Sequence, residues 1–171
     1  MGDVYREILV KQKKTSMDVI KKALMIAAII LLAAAGLFIH FGFFLLAAAG
    51  IFGFSFLAAG LDREYEYLYV NGDFDIDVIK NKQRRKRVAS YSLTQLVMAA
   101  PAGSHDLDSL TAAGNVQTRD FSSGQEGDKV VCLVYDMEKG REMALVNIDE
   151  DVIKDIRRRE PRKISRDFGI F

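Results

Sequence analysis

Residues 23–61 read ALMIAAIILLAAAGLFIHFGFFLLAAAGIFGFSFLAAGL, 39 consecutive positions without an Asp, Glu, Lys or Arg. A straight helix of that length would reach ~58 Å, about twice the ~30 Å hydrocarbon core of a bilayer, so the stretch has to fold back on itself. His40-Phe41-Gly42 is the polar, turn-capable break near its centre. The halves on either side, 23–39 and 43–61, are each close to the minimum length of a span. A soluble core helix would keep a polar face, which neither half has. A secretory signal would have an apolar region of only ~7–15 residues. The reading is a retained two-helix transmembrane hairpin over 16–61, between an N-terminal arm, 1–15, and a polar domain, 62–171.

Charge sets the expected orientation. Arg6, Lys11, Lys13, Lys14, Lys21 and Lys22 precede the first span, Arg63 and a basic cluster at 80–87 follow the second, and the connecting turn has none. Positive charge stays on the cytoplasmic side, so a multi-pass cell-membrane protein with both termini cytoplasmic is expected. Within the spans, small residues at 33–36 are expected to lie against 47–50 and Gly53, allowing close helix approach. His40 is read as an interfacial residue, since no buried ionisable partner accompanies it. Residues 1–22 carry six Lys/Arg against Asp3, Glu7 and Asp18, a balance of +3; of the 24 Lys/Arg and 23 Asp/Glu, the polar domain holds 18 and 20, a balance of −2. Such a domain does not have the bulk charge of a nucleic-acid binder. The single Cys132 cannot form an intramolecular disulfide, which fits a reducing compartment, and its apolar run 130–134 marks a buried structural thiol.

Beyond residue 61 the period changes from helix to strand. Residues 64–70 alternate, Asn71-Gly72 supplies a strong hairpin turn, and 74–78 alternate again. A basic turn at 82–86 leads to a strand at 87–91, and a fourth strand covers 95–100. A Gly/Ser/Ala-rich loop at 101–114 carries one helical turn after Ser104, and further strands fall at 116–122, 129–136 and 141–147, the last two joined tightly at 137–140. Asp149 caps a helix to about Arg159, with Val152, Ile153 and Ile156 on one face and Pro161 ending it. On the membrane side, Thr15 and Asp18 have capping-box spacing at the start of the first span, while the form of 1–14 stays open.

Seven antiparallel strands in hairpin order with one C-terminal helix predict a barrel plugged at one end. That architecture, with the opening 65–97, resembles a bacterial pleckstrin-homology-like domain. The early Tyr5-Arg6-Glu7, Glu64-Tyr65-Glu66-Tyr67 with Asn71-Gly72-Asp73-Phe74-Asp75-Ile76-Asp77, the basic Arg84-Arg85-Lys86-Arg87, Asp120-Phe121-Ser122-Ser123-Gly124 and the closing Pro161-Arg162-Lys163 together resemble a family of small bacterial membrane proteins with a domain of unknown function, found in anaerobic Gram-positive bacteria. The resemblance covers nearly the whole chain and implies topology rather than an activity.

Three groups of residues invite chemistry. Asp73, Asp75 and Asp77 share one strand face, but an extended Asp-x-Asp-x-Asp lacks the curvature of a calcium loop; a solvated face paired with neighbouring cations is expected, and no metal. Lys82, Arg84, Arg85, Lys86 and Arg87 form a basic turn suited to anionic lipid or to plain solvation. Arg157, Arg158 and Arg159 complement the negative end of their helix, and a phosphate or headgroup pocket shared by both clusters is one arrangement to look for. There is no Walker loop, no metal-spaced Cys/His set and no nucleophile with a base. The chain is therefore read as no enzyme and without cofactor. It is expected to act as a membrane-anchored cytoplasmic binding or scaffolding module recognising a protein partner, a second copy or an anionic lipid surface, with no nucleic acid. The alternative is an accessory subunit or regulator of a transport or envelope-assembly complex acting through its transmembrane hairpin.

Overall fold

The computed structural model describes residues 4–14, 16–59, 63–82, 84–112 and 116–170. Strand β1 (Tyr5–Lys11) is followed by two helices, α1 (Ser16–Phe38) and α2 (Gly42–Ala59), and then by β2 (Arg63–Val70), β3 (Asp73–Lys80), β4 (Arg84–Ser92) and β5 (Leu96–Pro101). A single 3₁₀ turn and the short helix α3 (Asp108–Ala112) lead to β6 (Val116–Asp120), β7 (Val131–Met137), β8 (Gly140–Val146) and helix α4 (Glu150–Arg159). Ser104 caps the turn after β5 by accepting from the Asp106 amide. Thr15, the expected cap of the first helix, lies outside the described residues.

The helices fold back on each other across the His40 turn, where the ring Nδ1 accepts from the Gly42 amide at 3.0 Å. Two of the small residues, Gly36 and Gly50, let them approach, each facing a large side chain rather than its like. A Cβ on Gly36 would come within 2.9 Å of the Phe44 ring, and one on Gly50 within 3.2 Å of Ile29. α1, with 23 residues, is long and apolar enough to cross a bilayer; α2, with 18, is shorter.

Two four-stranded sheets make up the remainder, ordered β1-β2-β3-β4 and β5-β7-β8-β6. This corrects the expectation of seven strands in hairpin order. The eighth strand is β1, which pairs antiparallel with β2 along its whole length, Tyr5 opposite Val70 and Lys11 opposite Glu64. The helical pair is thus inserted between two neighbouring strands of one sheet. The order differs in the second sheet, where β6 runs parallel to β8 and not beside β7. Sequential strands pair only as a tendency, and the long connection through 121–130 and β7 gives the crossover a parallel pairing needs. A second correction concerns the turn expected at 82–86. β3 ends at Lys80 and β4 begins at Arg84, with Asn81 and Lys82 of the connection both at positive φ (51° and 54°), so Arg84, Arg85 and Lys86, expected in the turn, belong to β4.

β2 and β3 follow their alternation. Tyr65, Tyr67 and Tyr69 turn inward with Phe74, Ile76 and Val78, while Asp73, Asp75 and Asp77 turn outward. The inner face packs on Val131, Leu133 and Val146 of the second sheet, and Val152, Ile153 and Ile156 of α4 close the core. Three buried tyrosine hydroxyls find acceptors inside the core. Tyr67 donates to the Phe121 carbonyl at 2.6 Å, Tyr69 to Asp155 at 2.7 Å, and Tyr91, stacked 4.2 Å from Tyr135, to Glu142. α4 begins where the sequence predicts, with the Asp149 side chain accepting from the Val152 amide at 3.0 Å.

Candidate functional site

Strand alternation divides the basic cluster in two. Arg85 and Arg87 share the outer face of the sheet with the β3 aspartates. Arg85 pairs with Glu66 and, at 3.1 Å, with Asp77; Arg87 reaches Asp75 at 3.0 Å and Asp77 at 3.3 Å. Asp75 also accepts from Ser90 at 2.6 Å. The aspartate row is therefore an internal counter-charge to two arginines, in line with the solvated, paired face expected. Among the described residues, no group of three His, Cys, Asp or Glu side chains could hold a metal ion.

Arg84 and Lys86 belong to the other face, and Lys82 sits in the turn itself. All three are exposed and have no ion-pair partner among the described residues. The last rung of the sheet sets Arg63 opposite Lys80 and Lys80 opposite Arg84, three cations side by side across three strands. Like charges directly opposite on neighbouring strands repel. The row stands at the end where both helices join. The Gln12 amide, just past β1, donates to the Arg63 carbonyl at 3.1 Å, and Lys13 donates to the Ser123 carbonyl at 2.7 Å. A shallow depression of about 340 Å³ beside it is lined by Lys11, Gln12, Lys13, Lys14 and Gln125.

The arginines of α4 are elsewhere. Asp155, its side chain 1% exposed, receives Arg158 and, at 2.8 Å, Arg159, in addition to Tyr69. Burial alone would push its carboxyl up; the hydrogen bonds from Tyr69, Arg158 and Arg159 outweigh that and hold it below the usual carboxylate range. Arg159 also reaches Asn71 at 3.2 Å, which places this network at the β2–β3 turn. Arg157 lines a separate depression of about 320 Å³ with Ile153 and Phe168. Eight residues of β2, ~27 Å of extended chain, separate the β2–β3 turn from the Arg63 rung. The arrangement with one anion pocket shared by both basic clusters is thereby overturned, because they occupy opposite ends of the sheet.

The nucleophile candidates stay apart. Burial pushes the Cys132 thiol up to about 11, and the two histidines, His40 and His105, are exposed. Sequence reading missed the cationic rung, although its signal was present. A two-residue Asn71-Gly72 turn fixes the pairing of Arg63 with Lys80 by counting outward from the turn.

The geometry is that of a two-sheet β domain with helix α4 packed on its core. The chain belongs to the family described as bacterial PH-like domain (DUF6106), whose sequence profile matches residues 2–166 and so runs through both helices as well as the sheets. No curated protein and no solved structure matches the chain.

Proposed function

We propose that the chain is a membrane-anchored, non-catalytic binding module, in which α1 and α2 cross the bilayer as an antiparallel pair and the PH-like domain works at the cytoplasmic surface. The membership in a PH-like family supports a binding role. The observation that carries the anchored reading is the helical pair itself, whose large apolar side chains, Leu31, Phe38 and Phe52 among them, are exposed with 70%, 86% and 80% of their surface free. Contiguous apolar surface of that extent calls for lipid or a partner. The preceding Lys21 and Lys22 and the following Arg63 support a cytoplasmic side for the domain.

Single cysteines test the topology, since buried Cys132 is a silent background thiol. In intact cells an impermeant maleimide should modify the Phe41→Cys variant and leave Gln125→Cys untouched until the membrane is opened. Labelling of Gln125→Cys in intact cells would reverse the orientation, and release of the protein by alkaline carbonate would remove the anchor.

A further inference from the structure

We infer that the helix-bearing end of the first sheet docks on the headgroups of an anionic bilayer leaflet through Lys82, Arg84 and Lys86, together with the Arg63–Lys80–Arg84 rung. The inference rests on the anchored reading above and adds to it a surface and a partner.

Three observations carry it. The first is the rung itself. Lys80 and Arg84 stand directly opposite each other, with Arg63 next in register and all three exposed; the like charge of Lys80 and Arg84 opposes their pairing in water and is relieved by an anion lying across them. The second is the division of the cluster by the pleat. Arg85 and Arg87 are neutralised by Glu66, Asp75 and Asp77 on the outer face, while Arg84 and Lys86 on the other face are left with unbalanced charge. Glu64, the nearest acid in β2, lies opposite Lys11 and on the outer face.

The third is position. β1 ends at Lys11 and α1 begins at Ser16, while α2 ends at Ala59 and β2 begins at Arg63. Four residues at full extension span only ~14 Å. The turn at Asn81 and Lys82 lies at that same end, because β2 runs away from the helices and β3 returns. The cations are therefore held within about one or two Debye lengths of the helix ends, where a charged leaflet acts on them. They lie in a line along a sheet end, a shape that meets a plane of headgroups better than it encloses a single small anion. Each cation near an anionic surface is worth roughly fivefold in favour of the docked state, and three together roughly a hundredfold.

The test uses the full chain in nanodiscs, with a donor dye on the Gln125→Cys variant and an acceptor on lipid headgroups. Energy transfer should be higher in discs rich in phosphatidylglycerol than in phosphatidylcholine discs, and 0.5 M salt, on the order of a threefold shorter screening length than at low salt, should remove the difference. The triple variant Lys82→Gln, Arg84→Gln, Lys86→Gln should lose the anionic response. The charge-keeping variant Lys82→Arg, Arg84→Lys, Lys86→Arg should retain it, as should Arg157→Gln at the far end. Equal transfer in the two lipids, or a triple variant that responds like the parent, overturns the inference and leaves the anchored module standing. Failure of the chain to enter discs at all defeats the anchored reading instead, a result read directly from co-elution.

Discussion

Asp155 shows how a single carboxylate can be both buried and charged. Its two oxygens receive one hydroxyl and two guanidinium groups, and the pairing spans the molecule, since Tyr69 is 86 positions away. Because its carboxyl is held below the ordinary value in the folded state, the stabilisation it confers is complete above ~3.9, the unfolded value, and disappears as pH falls through the folded one. The Asp155→Asn variant should therefore melt lower at neutral pH, by about 2 kcal/mol, and its stability should fall less steeply in acid than the parent's. Thermal melts of the full chain in detergent from pH 7 to pH 3 measure both. Tyr69→Phe leaves the arginines in place and should cost only about 1 kcal/mol. That the residue mattered was partly legible, because an acid next to Ile156 interrupts the apolar face of Val152, Ile153 and Ile156. Its partners were not, because nothing local to α4 points to Tyr69 or Asn71.

At the scale of elements, the turns decided what could be read. Asn71 and Gly72 both have positive φ, 53° and 104°, the geometry of the tight hairpin their side chains advertise. The Gly72→Ala variant would force a Cβ into that conformation at 3.1 Å from Leu93, and should lower stability by about 1–2 kcal/mol, seen as an earlier loss of tyrosine near-UV dichroism. The β3–β4 connection, with Asn81 and Lys82 at positive φ, turns without a glycine, so the sequence pattern placed the turn later and assigned three strand cations, Arg84, Arg85 and Lys86, to a loop. Once those residues are in β4 the pleat sorts them, and mutation should follow the sorting. Arg85→Gln leaves Glu66, 8% exposed, without its partner and should destabilise by about 1–3 kcal/mol, the spread reflecting an arginine that is itself half exposed. Arg84→Gln should be neutral or stabilising, because it relieves the row of like charges. Parallel melts of the two variants decide the point.

The whole molecule is built so that its sheet begins before the helices and resumes after them. Hydrophobic length and alternation made the helices and most strands legible, whereas β1 was not, because its seven residues alternate only weakly and its partner is on the far side of the helical pair. A chain starting at residue 63 lacks that strand and exposes the β2 edge with the tyrosines behind it; it should be poorly folded. Joining residues 4–13 to 63–171 by a short Gly-Ser link, which the 3.1 Å contact between Gln12 and Arg63 allows, should give a soluble, mainly-β protein with a sharp melting transition. Equal folding of the two versions, by dichroism and amide exchange, would show that β1 is dispensable. The same insertion has a mechanical consequence. Because α1 and α2 are rooted on adjacent, antiparallel, hydrogen-bonded strands, any force that spreads the two helices sideways reaches the domain as a peel, opening Lys11 from Glu64 first and running toward Tyr5 and Val70. A peel breaks bonds one after another and so yields at low load, while a pull along both helices together is shared by the whole sheet; the domain would register separation of its helices far more readily than tension on the pair.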